Sequence, residues 1–180
     1  MIRTCLYFAT LATLPMAAFA EMTLTSPTMV QGGVLPADQV MDGFGCKGAN
    51  LSPGLAWDGA PEGTKSFILT AYDPDAPTGS GWWHWTVVNI PVAILSLEEA
   101  ASSAGLPAGA VQGRTDYGTT GFGGACPPQG NAPHRYVFSI YAMPEAALPL
   151  DENASGALVG FYATNMALDH ASLTVTYGRD

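Results

Sequence analysis

The 180-residue sequence predicts a mainly β fold with one peripheral α-helix near the C-terminus. Three observations carry that reading. The 21 Gly and 14 Pro argue against a helical bundle and for strands joined by many loops. Three nearly continuous apolar, β-prone runs, at 66–72, 83–90 and 135–142, have the pattern of central strands. Only one segment, from about Ser155 to Leu168, has helical spacing of its apolar residues.

The elements follow in order. Arg3, an apolar stretch from Leu6 to Phe19 and Ala18-Phe19-Ala20 before Glu21 form the pattern of a secretory signal peptide cleaved after Ala20. That stretch is interrupted by Thr10, Thr13 and Pro15 and falls short of the ~20 apolar residues of a membrane span. Residues 21–180 then make one domain, periplasmic or secreted, with no repeat or linker to divide it. Thr23 to Ser26 reads as a first strand, and a Gly-rich loop at 43–53 leads to a short strand at Leu55 to Trp57. The turn formers of 58–64 precede the first central run. A short helical piece is expected near Leu97 to Ser103, and Leu106 to Pro133 is a long loop of the kind that is usually functional. Asn153 or Ser155 caps the late helix, which is expected to bury Leu158, Phe161 and Met166 and to end near His170. Ser172 to Tyr177 alternates polar and apolar residues and closes the chain as a strand.

Composition narrows the function. Apolar residues make up 48% and charged residues 12%, which excludes a disordered chain. Asp and Glu outnumber Lys and Arg 15 to 6, and removal of Arg3 with the leader leaves a net charge of −10. A basic surface for nucleic acid or anionic membrane is thereby excluded, so an anion would have to be held by local donors. Without the leader two cysteines remain, Cys46 and Cys126, and an even count in an oxidising compartment favours one bridge over two free thiols.

Two junctions hold the candidate chemistry. Asp73-Pro74-Asp75-Ala76-Pro77 ends the first central run, with either X-Pro bond free to be cis, and Trp82-Trp83-His84-Trp85 opens the next. The carboxylates are placed to orient an imidazole by accepting its N–H, and at least one of the tryptophans is expected in the core. The second junction is the Gly-rich 121–130 followed by His134-Arg135-Tyr136. Its backbone N–H groups are expected to form an anion nest, and His134 and Tyr136 share one strand face. Two imidazoles, a tyrosine and a Gly-rich backbone suit a phosphate or carboxylate.

At these junctions the sequence resembles the phosphatidylethanolamine-binding protein family. Asp73-Pro74-Asp75-Ala76-Pro77 with Trp82-Trp83-His84-Trp85 resembles its first signature, and Gly124-Ala125-Cys126-Pro127-Pro128-Gln129-Gly130 with His134-Arg135-Tyr136 its second. Asn50-Leu51-Ser52-Pro53 and the run Gly79 to Pro91 look like the bacterial branch, the YbhB/YbcL type of Raf kinase inhibitor-like proteins. The resemblance implies a β-sandwich of two antiparallel sheets with a small pocket for phosphate-like anions or phospholipid headgroups at one end. Carried over by position, the pocket comprises Asp73, Asp75, Ala76, Pro77, His84, Gly124, Ala125, Cys126, Pro127, Pro128, His134 and Tyr136. Two departures stand out. The chain ends soon after its last strand, without the C-terminal helix of eukaryotic members, so a more open mouth is expected. Residue 126 is Cys where eukaryotic members usually have Gly, which ties a pocket wall to the expected bridge.

The leading expectation is therefore an exported, non-enzymatic binder of a small anionic or phosphorylated ligand, with no cofactor. A hydrolase pairing His84 or His134 with Asp73 or Asp75 is the alternative, but no G-x-S-x-G elbow is present and Ser80 is the only serine nearby. A metal site from His84, His134 and a carboxylate lacks a clustered ligand motif. A secreted inhibitor or interaction module acting through its loops stays open.

Overall fold

The computed structural model describes residues 21–179, so the expected signal peptide, residues 1–20, lies outside the described residues. Ten strands run in chain order as β1 (Thr23–Thr25), β2 (Asp42–Gly43), β3 (Cys46–Lys47), β4 (Leu55–Asp58), β5 (Ser66–Asp73), β6 (Trp82–Pro91), β7 (Ser96–Leu97), β8 (Val111–Gln112), β9 (His134–Met143) and β10 (Asp169–Tyr177). The helices are α1 (Ala101–Ala104) and α2 (Gly156–Met166). The main sheet has the order β10-β9-β5-β6-β8, and β1-β4-β7 form a smaller one; every neighbouring pair is antiparallel.

The most continuously apolar run, β5, lies at the centre of the main sheet and is buried on both faces. Its Phe67, Leu69 and Ala71 point into the core between the sheets, joined by Tyr136, Phe138 and Ile140 of β9. Trp57 of β4 closes that core edge-on against Phe67, with ring centroids 5.6 Å apart. Ile68 points the other way, into a second cluster with Val88 and Met143 beneath α2. On β6, Val87 and Ile90 face the same core although three residues apart, because a register shift opposite Phe67 and Leu69 inserts an extra residue. Asn89 absorbs the kink at φ 58°, and its side-chain amide bonds both to the N–H and to the carbonyl of Leu148.

Three expectations need correction. Ser155 does cap α2, accepting the Leu158 N–H at 3.3 Å, but the helix buries a different face. Gly156, Val159 and Ala163 are buried, whereas Leu158 is 44% and Phe161 61% exposed. Trp83 rises from the sheet so close that a Cβ at Gly156 would lie 2.1 Å from its Cγ, so only the small-residue stripe can dock. His170 belongs to β10, where it stacks on Tyr141, and is not at the helix end. The loop from Leu106 to Pro133 contains β8, which pairs with β6. The open question of proline isomers is answered too: no peptide bond among the described residues is cis. Leu158→Ala is accordingly expected to shift stability by less than about 0.5 kcal/mol. Val159→Ala, at a fully buried position, should cost roughly 1.5–3 kcal/mol in denaturant unfolding.

Candidate functional site

The antiparallel order of the main sheet brings the C-terminal end of β5 beside the N-terminal ends of β6 and β9. Residues about 60 apart in sequence therefore meet at one edge of the core. A cavity of about 340 Å³ opens there, lined by Asp73, His84, His134 and Tyr136 from the strands and by Ala76, Pro77, Cys126, Pro127 and Pro128 from the junctions. Phe44, Thr78, Trp82, Asp116 and Tyr117 complete its wall, five residues outside the set carried over from the family resemblance. Pattern alone had no means of finding Asp116 and Tyr117, which sit in the long loop with no motif around them. Trp82 lay inside a motif, and only its direction was unknown.

The two imidazoles are each fixed by Nδ1. His134 Nδ1–H donates to Asp73 Oδ2 at 2.7 Å, with both side chains only 4% exposed. The second oxygen of Asp73 accepts the Asp75 N–H at 2.8 Å. His84 Nδ1–H donates to the Gly123 carbonyl at 2.7 Å, and burial pushes its pKa below the usual imidazole value, leaving it neutral at pH 7. A carbonyl, not a carboxylate, thus orients His84. Around them, His84 meets Tyr136 and Tyr117 edge-on at 5.2 and 5.6 Å. Trp82 meets Tyr117 edge-on at 5.3 Å. Burial pushes the Tyr117 hydroxyl up to about 12, and it donates to the Gly124 carbonyl at 2.9 Å. Asp116 is held by the Trp83 N–H, which donates to its carboxylate at 2.8 Å.

Asp75 lies outside the cavity. It accepts the backbone N–H, Nε and Nη2 of Arg135, and the guanidinium hydrogen bonds hold its pKa down at about 2. Its role beside an imidazole is therefore withdrawn. Of the expected anion nest, the N–H groups of 122–125 are engaged within the chain. The N–H groups of Phe122, Gly123, Gly124 and Ala125 donate to Ser102 Oγ, the His84 carbonyl, Asn50 Oδ1 and the Gln39 carbonyl. Ala125 in turn accepts the Met41 N–H at 3.0 Å, so the Gly-rich stretch is a strand-like wall and not an open loop. Gly124 is required by that contact, since a Cβ there would lie 2.4 Å from the Met41 nitrogen. Gly124 and Ala125 thus build the wall without lining the cavity.

Two donors in the lining are unused. The Tyr136 hydroxyl, on a residue 3% exposed, and the Trp82 indole N–H are buried without a hydrogen-bond partner. At the rim, Phe44 is 78% exposed and packs on Tyr117 with ring centroids 5.8 Å apart. Its hairpin, β2–β3, is tied to the cavity wall by the Cys46–Cys126 disulfide (Cα–Cα 5.9 Å). Ser80 does not line the cavity, and among the described residues no group of three His, Cys, Asp or Glu side chains is placed to hold a metal ion.

A sequence profile described as phosphatidylethanolamine-binding protein matches residues 25–178, almost the whole described chain. The chain belongs to that family. Within the family it is similar to the UPF0098 protein YbcL of Escherichia coli, 49% identical over 180 residues covering 98% of this chain and 96% of YbcL. It is also similar to E. coli YbhB, 48% identical over 158 residues covering 87% of this chain and 99% of YbhB. The crystal structure of E. coli YbcL, described as a member of the mammalian PEBP family, superposes with a TM-score of 0.87 at 51% identity, covering 89% of this chain and all of that one. Family membership makes this a ligand-binding protein of the PEBP type, and the cavity lies at the junction of β5, β6 and β9.

Proposed function

We propose that this protein holds a small phosphorylated or otherwise anionic ligand, of the phosphate or headgroup type, in the cavity beside His84 and His134, and that it does so without chemical turnover. One observation carries the reading. Tyr136 O–H and Trp82 N–H are buried, unpaired and part of the lining, and an unsatisfied buried donor is costly unless a ligand oxygen or a water takes it. An indole N–H can only donate, so the matching ligand group is an acceptor. A volume of about 340 Å³ lies at the small end of ligand cavities and suits a headgroup, not acyl chains. Among the described residues no serine lines the cavity to serve as a nucleophile, and the Thr78 hydroxyl donates to the Gly81 carbonyl, which supports binding over hydrolysis. The disulfide supports the further reading that the protein works outside the cytoplasm after removal of residues 1–20.

Calorimetric titration with phosphoethanolamine tests this. Binding at one site is expected, weakened about tenfold or more in Tyr136→Phe, which deletes one hydrogen bond to a charged group and little else. Absence of binding, or equal affinity in Tyr136→Phe, would remove the anion reading.

A further inference from the structure

The protonation pattern of the cavity carries a narrower conclusion about the ligand, resting on the anion reading above. A backbone carbonyl can only accept, so the bond to Gly123 places the single proton of neutral His84 on Nδ1 and leaves Nε2 as a lone pair for the cavity. At His134 the Nδ1–H faces Asp73, whose carboxylate accepts it. His134 Nε2 lies 3.4 Å from the Asn131 side-chain nitrogen and is thus already engaged within the chain. His84 thus offers the cavity an acceptor, while Tyr136 and Trp82 offer donors.

The charges around the site point the same way. Asp73 from β5 and Asp116 from the loop after β8 are both in the lining, and among the described residues no Lys or Arg is. Arg135 on β9 is engaged with Asp75 outside the cavity. Arg179 lies behind the wall, donating to Cys126 Sγ at 3.4 Å and to the Pro127 carbonyl at 3.3 Å. The remaining ionisable groups facing His84 are Tyr117 and Tyr136, both kept neutral by burial. A dianion would meet two carboxylates and the His84 lone pair with no Lys or Arg to offset them. An anion that carries its own proton meets a matched set.

We infer that the cavity selects a phosphomonoester in its monoanionic, singly protonated form, whose P–OH donates to His84 Nε2 while its other oxygens accept from Tyr136 and Trp82. Phosphodiesters and sulfate esters are anions of similar shape without that proton, and the site discriminates against them. Above the second phosphate pKa, about 6, the ligand must take up one proton from solvent to bind. Affinity for total ligand then falls about tenfold for each further pH unit, since the monoanion fraction falls by that factor.

The experiment titrates wild-type protein with methyl phosphate, dimethyl phosphate and methyl sulfate between pH 5 and 8, in buffers of different ionisation heat. Methyl phosphate is expected to bind at least about tenfold more tightly than the other two, with proton uptake approaching one at pH 8. Vesicles containing phosphatidic acid form a second arm. Co-sedimentation there assigns a lipid-borne monoester, and binding of methyl phosphate alone a soluble one. In His84→Phe, which keeps a ring but no nitrogen, the preference for methyl phosphate is expected to vanish. The three-probe comparison on wild type stands even if that variant does not fold. Equal affinity for the three probes, or methyl phosphate binding without proton uptake at pH 8, overturns the inference and leaves the anion reading intact. Binding of none of them overturns both.

Discussion

Removing the Cys46–Cys126 disulfide, by reduction or as Cys46→Ala/Cys126→Ala, is expected to lower unfolding stability by about 4 kcal/mol. The bond closes a loop with a sequence separation of 80, so the unfolded chain regains a large conformational freedom once it is cut. The folded chain loses a tie as well. The β2–β3 hairpin that carries Phe44 to the cavity rim is only two residues per strand, too small to hold its place by its own ladder. Denaturant midpoints in oxidised and reduced samples read the first effect, and amide exchange across 42–48 reads the second. A stability change under about 1 kcal/mol, with unchanged exchange in the hairpin, would show that the bridge is incidental to the fold.

His134→Ala is expected to cost about 3–5 kcal/mol, because it strands the Asp73 carboxylate in a site where the side chain is 4% exposed. The Asp75 N–H would remain as its one hydrogen bond from the chain. The cause is separable from lost imidazole packing by a double variant. Asp73→Asn/His134→Ala should be less destabilised than the sum of the two single variants, since the uncompensated charge is gone. Strict additivity would mean that the two side chains act independently and that the 2.7 Å contact contributes little.

Much of this architecture was legible before any coordinates. β5, β6 and β9 stand out as apolar runs because a strand buried on both faces needs apolar residues at nearly every position. The signature segments could be read as a site because they sit where those runs end, and strand ends are where side chains leave the core. The helix was legible in position and not in orientation. Periodicity weighs Leu158 and Phe161 as anchors, but the neighbour across the interface, Trp83, decided that only Gly156, Val159, Gly160 and Ala163 fit.

The same division holds at the cavity. Sequence by itself determined the β-rich class and the acidic charge that denies long-range attraction to an anion, and it favoured a bridge between the two late cysteines. Tertiary structure alone decided what each residue at the site does. Asp73 and Asp75 are two residues apart and chemically alike, yet one is sealed against His134 and the other is paired with Arg135 outside the cavity. The Gly-rich stretch suggests open backbone donors, yet Ser102, the His84 carbonyl, Asn50 and the Gln39 carbonyl accept those of residues 122–125. Tyr117 and Asp116 carry no local signal at all and enter the lining because the long loop folds back over β6. The reason is physical. Composition and periodicity report which surfaces a chain must bury, whereas hydrogen-bond partners and proton positions depend on contacts between residues tens of positions apart, which no local pattern encodes.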